Sequence, residues 1–77
     1  MNKSISIFYY VAVDFVSLNF TQKMNLGIDL KLLKTADLYE TDEERIEKII
    51  FKRMKLSGKF EEFVKMVYKV KHEFKSS

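Results

Sequence analysis

The sequence lacks cysteine, proline and tryptophan, and its 77 residues include two glycines and one histidine. Without cysteine it has neither the disulfide framework of small secreted domains nor a thiolate zinc site. Two isolated glycines cannot form a phosphate-binding loop, and the acidic segment 37–47 lacks the ligand spacing of a calcium loop. His72 lies near the end of a lysine-rich segment, where a solvent-facing role is expected. We therefore predict no enzyme activity, no catalytic residue, no cofactor and no metal.

The chain is short but rich in apolar side chains. Hydrophobic residues make up 47% of it and aromatic residues 14%, too much for a disordered tail. We expect residues 1–77 to form a single small domain. A domain of this size buries only about 60% of its unfolded surface, so we also predict a homo-oligomer, a homodimer in the simplest case. No small-molecule substrate is indicated.

The most apolar stretch, Ile5 to Phe20, includes Asp14 and has 16 residues, fewer than the roughly 20 that a membrane span needs. The N-terminus has one lysine and no clear signal-peptide cleavage site. These features predict a cytoplasmic protein without membrane contact.

The C-terminal half of the chain predicts two amphipathic helices. Thr41 and Glu44 have capping-box spacing, so a helix is expected over 42–56. Ser57 and Gly58 follow as a turn, and a second helix is expected over 59–74. Gly27 and Gly58 are both interpreted as boundaries between elements. The apolar positions recur every three or four residues in both helices: Ile46, Ile49, Ile50 and Met54 in the first, and Phe60, Phe63, Val64, Val67, Val70 and Phe74 in the second.

The N-terminal half fits two patterns. As a strand, its odd positions from Ile5 to Phe15 are all apolar, and the alternation over 25–33 would supply a second strand. As a helix, one polar stripe would run along it, with all other positions buried: Lys3, Ser6, Tyr10, Asp14, Ser17 and Thr21. Strand propensity of the Ile, Val, Phe and Tyr residues favours the first pattern. The predicted fold is therefore α+β, an N-terminal β-hairpin followed by two α-helices and completed by oligomerisation. The alternative is an all-α bundle of three to four helices, with helices near 4–22 and 28–39.

The order strand, helix, turn and helix over residues 25–74 is similar to that of the ribbon-helix-helix repressors, although no specific motif supports the resemblance. That resemblance implies a dimer whose ribbon, here 25–33, enters the major groove of DNA. The ribbon residues that would face outward, Gly27, Asp29 and Lys31, are poorly suited to reading bases.

Charge is distributed unevenly along the chain. Residues 1–44 have four lysines against seven acids, and residues 45–77 have ten basic residues against four acids. The predicted function is that of a non-catalytic interaction protein that binds and regulates or inhibits a macromolecular partner, in general character similar to small regulators of phages and mobile elements. Its acidic candidate face comprises Asp37, Glu40, Asp42, Glu43 and Glu47.

The alternative function is nucleic-acid binding by a dimer through basic helical ridges. The candidate phosphate contacts are Lys52, Lys55, Lys59, Lys65 and Lys69. A third class, a structural subunit of a larger assembly, would use exposed aromatic side chains such as Tyr10 and Phe51 as its interface.

Overall fold

The computed structural model describes the backbone of residues 3–76 and the side chains of residues 7–73. Within residues 3–76 there are four α-helices: α1 (Lys3–Val16), α2 (Phe20–Asp29), α3 (Glu43–Ser57) and α4 (Phe60–Ser76), with a short 3-10 helix, Thr35–Tyr39, between α2 and α3. Helix α1 packs against α4, α2 packs against both α3 and α4, and α3 packs against α4. The described part of the chain is thus all-helical.

The predicted β-hairpin was wrong. Its first strand lies in α1, and the segment 25–33 comprises the end of α2 and the turn after it. Phe8, Val11 and Phe15 all pack into the core, and their spacing of three and four residues is that of one side of a helix. Burial of this side overrides the strand propensity of the individual residues. The resemblance to ribbon-helix-helix repressors ends here as well, because residues 25–33 form no ribbon.

The all-α alternative had the right class but the wrong bounds, because Asn19 separates α1 from α2. The Asn19 side chain accepts a hydrogen bond from the Gln22 amide at 2.8 Å, and the Gln22 side chain accepts one from the Asn19 amide at 2.9 Å. This capping box starts a new helix where one helix over 4–22 had been predicted.

Helix α2 ends at Asp29, and Lys31, two residues later, adopts a left-handed backbone conformation with φ of 58°. The Lys31 amide donates to the Ile28 carbonyl at 3.0 Å, and the Leu32 amide donates to the Gly27 carbonyl at 2.8 Å. These two bonds form a Schellman motif, in which glycine usually occupies the left-handed position. The predicted boundary at Gly27 was therefore wrong. Gly27 lies inside α2, where a Cβ atom would meet Leu33 Cδ1 at 2.7 Å.

The two C-terminal helices are confirmed. Helix α3 begins one residue later than predicted, because Asp42 rather than Thr41 is its cap: Asp42 Oδ1 accepts from the Glu44 amide at 3.1 Å. Gly58, with φ of 69°, closes α3 in the left-handed conformation.

The core lies where the four helices meet, and phenylalanines dominate its centre. Phe15, Phe51 and Phe63 contact one another with ring centroids 5.1 to 5.9 Å apart, and Phe8 extends the cluster through Phe51 and Phe60. The apolar stripes predicted for α3 and α4 supply many of the buried side chains: Ile46, Ile50, Met54, Phe63 and Val67. Phe74 lies outside the described side chains.

The ends of α2 and α3 provide a matched pair for a stability test. A left-handed residue other than glycine costs about 1–2 kcal/mol, so Lys31→Gly should raise the free energy of unfolding by about 0.5–1 kcal/mol after the entropy of the new glycine is included. Gly58→Ala, which adds a methyl group into open space, should lower it by about 1 kcal/mol. Urea denaturation followed by circular dichroism measures both. Equal stability of Lys31→Gly and the wild type would contradict the strain assigned to Lys31.

Candidate functional site

The acidic candidate residues lie around the 3-10 helix and the first turns of α3. Two of them, Glu43 and Glu47, are one helical turn apart and face α2. Between them lies the ammonium group of Lys23, whose side chain is 0% exposed. Lys23 Nζ is 2.5 Å from Glu43 Oε2 and 2.6 Å from Glu47 Oε2. Helices α2 and α3 are therefore joined by an ion pair with a buried cation.

The electrostatics of Lys23 are a balance of opposing effects. Burial alone would lower the pKa of its ammonium group, but the hydrogen bonds and charges of Glu43 and Glu47 outweigh burial, and the pKa is raised. Because the folded-state pKa is raised, this contribution to stability is complete at neutral pH. It is lost in alkaline solution, as the pH rises through the raised pKa of Lys23.

Asp37 is the second acid with a partner on another helix. Its carboxylate accepts a hydrogen bond from the Lys34 amide at 2.7 Å and forms an ion pair with Arg53 of α3. Both interactions hold the pKa of the Asp37 carboxyl below its ordinary value. The hydrogen bond from the Lys34 amide has the larger effect, and the hydrogen bond from Arg53 comes next. Arg53 also donates to the Leu32 carbonyl at 3.0 Å. The 3-10 helix is thereby attached to α3.

The other two acids act locally. Glu40 pairs with Arg45, with 3.2 Å between Oε2 and Nε, and its other oxygen accepts from the Thr41 and Asp42 amides. Asp42 caps α3. All five acidic candidates thus have partners within the chain, and three cations, Lys23, Arg45 and Arg53, partly balance their charge.

The basic candidates are dispersed rather than gathered into one patch. Lys59 Nζ donates a hydrogen bond to the Leu30 carbonyl at 2.7 Å, so its ammonium group is already bound at the C-terminal end of α2. Lys55 Nζ lies 4.9 Å from the ring centroid of Phe8, a cation–π contact. Lys52 is exposed on α3, whereas Lys65 and Lys69 are exposed on α4. The outward side of α4 also presents three acids: Glu61, Glu62 and Glu73.

A third surface, which the sequence interpretation missed, is the outer face of α1, formed by Tyr9, Ala12, Val13 and Val16. These positions are spaced at i, i+3, i+4 and i+7, and so lie on one side of a helix. Tyr9 is 65% exposed, Val13 52% and Val16 47%. The four side chains line a shallow apolar groove of about 290 Å³. Tyr10, 69% exposed, flanks the groove, and its ring contacts that of Tyr9 edge-on at 5.9 Å.

Sequence reasoning missed this face because the strand prediction placed Tyr9 and Val13 on the same apolar face as Phe15, and the helical alternative treated every position outside its polar stripe as buried. The side of α1 that does pack inward contains Phe8, Val11 and Phe15. A helix at the surface of a small domain can bury only one stripe. The signal was present in the helical alternative, in which α1 is apolar on all sides except one. Of the aromatic residues proposed for an interface, Tyr10 is exposed, whereas Phe51 is half-buried in the core.

The remaining polar contacts near α1 are structural in character. Asp14 Oδ1 is 2.5 Å from Lys71 Nζ, which links α1 to α4. His72 lies against Tyr68, with 4.4 Å between ring centroids. Among the described side chains, no three acids or histidines are grouped as metal ligands would be. Nor does any helix in the described part combine the length and apolarity required to cross a membrane.

Comparison with known proteins gives no family assignment: no family model, curated protein or solved structure matches this chain.

Removal of the buried ammonium group should destabilise the fold. In Lys23→Met the methylene chain remains, but two adjacent carboxylates lose their cation, and breaking a buried pair costs about 3–5 kcal/mol. Because half of Glu43 is exposed, we expect the lower end of this range in urea denaturation at neutral pH. The control Lys65→Met changes an exposed lysine and should shift stability by no more than about 0.5 kcal/mol. Similar results for the two variants would contradict the role given to Lys23.

The lowered pKa of Asp37 predicts a pH-dependent contribution to stability. Asp37→Asn should lower the free energy of unfolding at neutral pH by about 1–2 kcal/mol, because charged hydrogen bonds are lost. The wild type loses this advantage as the pH falls through the lowered pKa of Asp37, so the two stability curves should converge in acid. Urea titrations at several pH values test this. Asp29→Asn, at an exposed carboxylate on α2, is the control, and a constant gap for Asp37→Asn would contradict the assignment.

Proposed function

We propose that this protein is a non-catalytic interaction protein that binds a protein partner through the outer face of α1. The observation that supports this function is the combination of Tyr9, Val13 and Val16, each about half exposed or more, around a groove without charged lining residues. Single exposed apolar side chains are common on protein surfaces, but contiguous apolar patches mark interaction sites.

The residue types on this face suit protein recognition. Tyrosine is enriched among the residues that dominate binding energy, since it offers a large contact area and loses few rotamers. At about 150–250 Å² per aromatic side chain, Tyr9 and Tyr10 expose on the order of 250 Å² between them. At about 25 cal/mol for each Å², covering them and the two valines would contribute several kcal/mol before the costs of association.

The acidic candidate face supports this function less well. Acids that mimic phosphate or dock on a basic groove must present uncompensated charge, whereas Glu43 and Glu47 share Lys23, and Asp37 binds Arg53. A partner would have to compete with these internal ion pairs. We therefore assign the five acidic residues to stability in this proposal and the outer face of α1 to binding.

Nucleic-acid binding through the basic ridges also has less support. Lys59 is engaged by a backbone carbonyl, and Lys65 and Lys69 share the outward side of α4 with three acids. Electrostatic binding of nucleic acid depends on several cations that meet phosphates together. Of the five candidate lysines, Lys52 and Lys55 remain, and Lys55 already lies against the ring of Phe8.

Site-specific photo-cross-linking in the cells that naturally make the protein tests the proposed function. A photoreactive amino acid at position 13 should give a discrete cross-linked protein, because this position lies at the centre of the proposed contact. The control position is Leu56, which is 77% exposed on α3 and lies outside the outer face of α1. Tyr9→Asp should abolish the adduct at position 13. The same products from positions 13 and 56, or none from position 13, would contradict the proposal.

A further inference from the structure

We propose that the partner of the outer face of α1 is the same face of a second copy of this chain, in an antiparallel pair about a two-fold axis near Ala12. This inference rests on the proposed function, because it names the partner of the surface assigned there. The argument depends on the shape, the charge and the area of the face.

The shape of the face is suited to pairing with itself. Ala12 lies midway along it, with Tyr9 towards one end and Val16 towards the other. A small side chain at the centre lets two helices approach to about 8 Å, the short end of the usual range. In an antiparallel pair, Tyr9 of each copy would enter the groove beside Val16 of the other. A parallel pair would instead oppose two tyrosines at one end, so interdigitation of large and small residues favours the antiparallel arrangement.

The charge of the face also fits a second copy. Asp14 is the sole charged residue between positions 7 and 16, and it is paired with Lys71 on α4. The face therefore offers nothing to attract a strongly basic or acidic partner, and two identical faces meet without repulsion at the contact. The net charge of +3 on each copy opposes pairing only weakly, since charges more than about 8 Å apart are largely screened at physiological salt.

The area of the outer face of α1 sets the affinity that we expect for dimerisation. With about 150–250 Å² for each aromatic side chain and less for the valines, the face and Tyr10 expose on the order of 400 Å². A symmetric pair would thus bury roughly 800 Å² in total, which is in the range of weak and reversible complexes. An isologous contact of this kind closes at two copies and leaves no surface for further growth. We expect a monomer–dimer equilibrium with a Kd of roughly 10 µM to 1 mM.

Sedimentation equilibrium over a range of concentrations tests the dimer directly. The mass should rise from 9.2 kDa towards twice that value as concentration increases. Val13→Glu should weaken dimerisation by about 100-fold or more, because two unpaired carboxylates would be buried in each dimer. Its helical circular dichroism should match that of the wild type, since Val13 is half exposed in the single chain. The control Leu56→Glu should dimerise like the wild type.

The lack of native cysteine allows single thiols to report the geometry. Ala12→Cys should form a disulfide-linked dimer under mild oxidation, because a residue near the axis meets its own copy within the 4.4–6.8 Å between Cα atoms typical of disulfides. The control Leu56→Cys should oxidise at least about tenfold more slowly. In an equimolar mixture of Tyr9→Cys and Val16→Cys chains, the antiparallel arrangement predicts mixed dimers, which mass spectrometry distinguishes from dimers of either variant alone.

Each opposite result overturns the proposal. A chain that stays fully monomeric at about 1 mM, the upper limit of the Kd expected for a contact of this area, excludes the dimer. A dimer that Val13→Glu leaves intact excludes the outer face of α1, and thiol dimers of like with like exclude the antiparallel arrangement. Failure of the dimer is separable from failure of the proposed function. If the protein is monomeric but position 13 still cross-links to a different protein in cells, the proposed function stands and only the dimer is excluded.

Discussion

A chain of 77 residues with 47% hydrophobic content has more apolar side chains than its interior can hold, and the arrangement of the four helices follows from this constraint. The phenylalanines of α1, α3 and α4 take the centre, and the aliphatic stripes of α3 and α4 complete the enclosed volume. With extents of 38 × 33 × 18 Å the molecule is flat, so each helix has a side near the surface. Helix α1 is apolar on more than one side, and its second apolar side remains outside.

Polar groups fix the relative positions of the helices. Burial of an ammonium group is tolerated only when hydrogen bonds and opposite charges replace its water, and Lys23 receives both from α3. Arg53 fixes the segment between α2 and α3 against α3, because it binds both the Asp37 carboxylate and the Leu32 carbonyl of that segment. The acids that form the most obvious charge cluster in the sequence thus make contacts within the fold. The apolar exterior of α1 is therefore the stronger candidate for a binding surface.

The success of sequence reasoning varied along the chain for identifiable reasons. Helices α3 and α4 were predictable because their stripes are amphipathic and Gly58 marks the turn between them. Helix α1 was not, since a segment with so few polar residues fits both the strand and the helix period. The end of α2 was hidden because Lys31, rather than glycine, takes the left-handed position. Burial of Lys23 had no local signal at all, as its partners are 20 and 24 residues away. The outer face of α1 was missed as a candidate site for the same reason that α1 itself was ambiguous.

The two ends of α2 are attached by different chemistry. At its first turns, Lys23 is bound by carboxylates. At its C-cap, the Leu30 carbonyl accepts a hydrogen bond from Lys59, where the negative end of the helix dipole adds to the attraction. The two attachments differ in kind, because the carboxylates belong to side chains of α3 whereas the Leu30 carbonyl belongs to the backbone of the chain. Substitution of Glu43 and Glu47 would therefore release the first turns of α2 from α3, while its C-terminal end stayed attached near the α3–α4 turn.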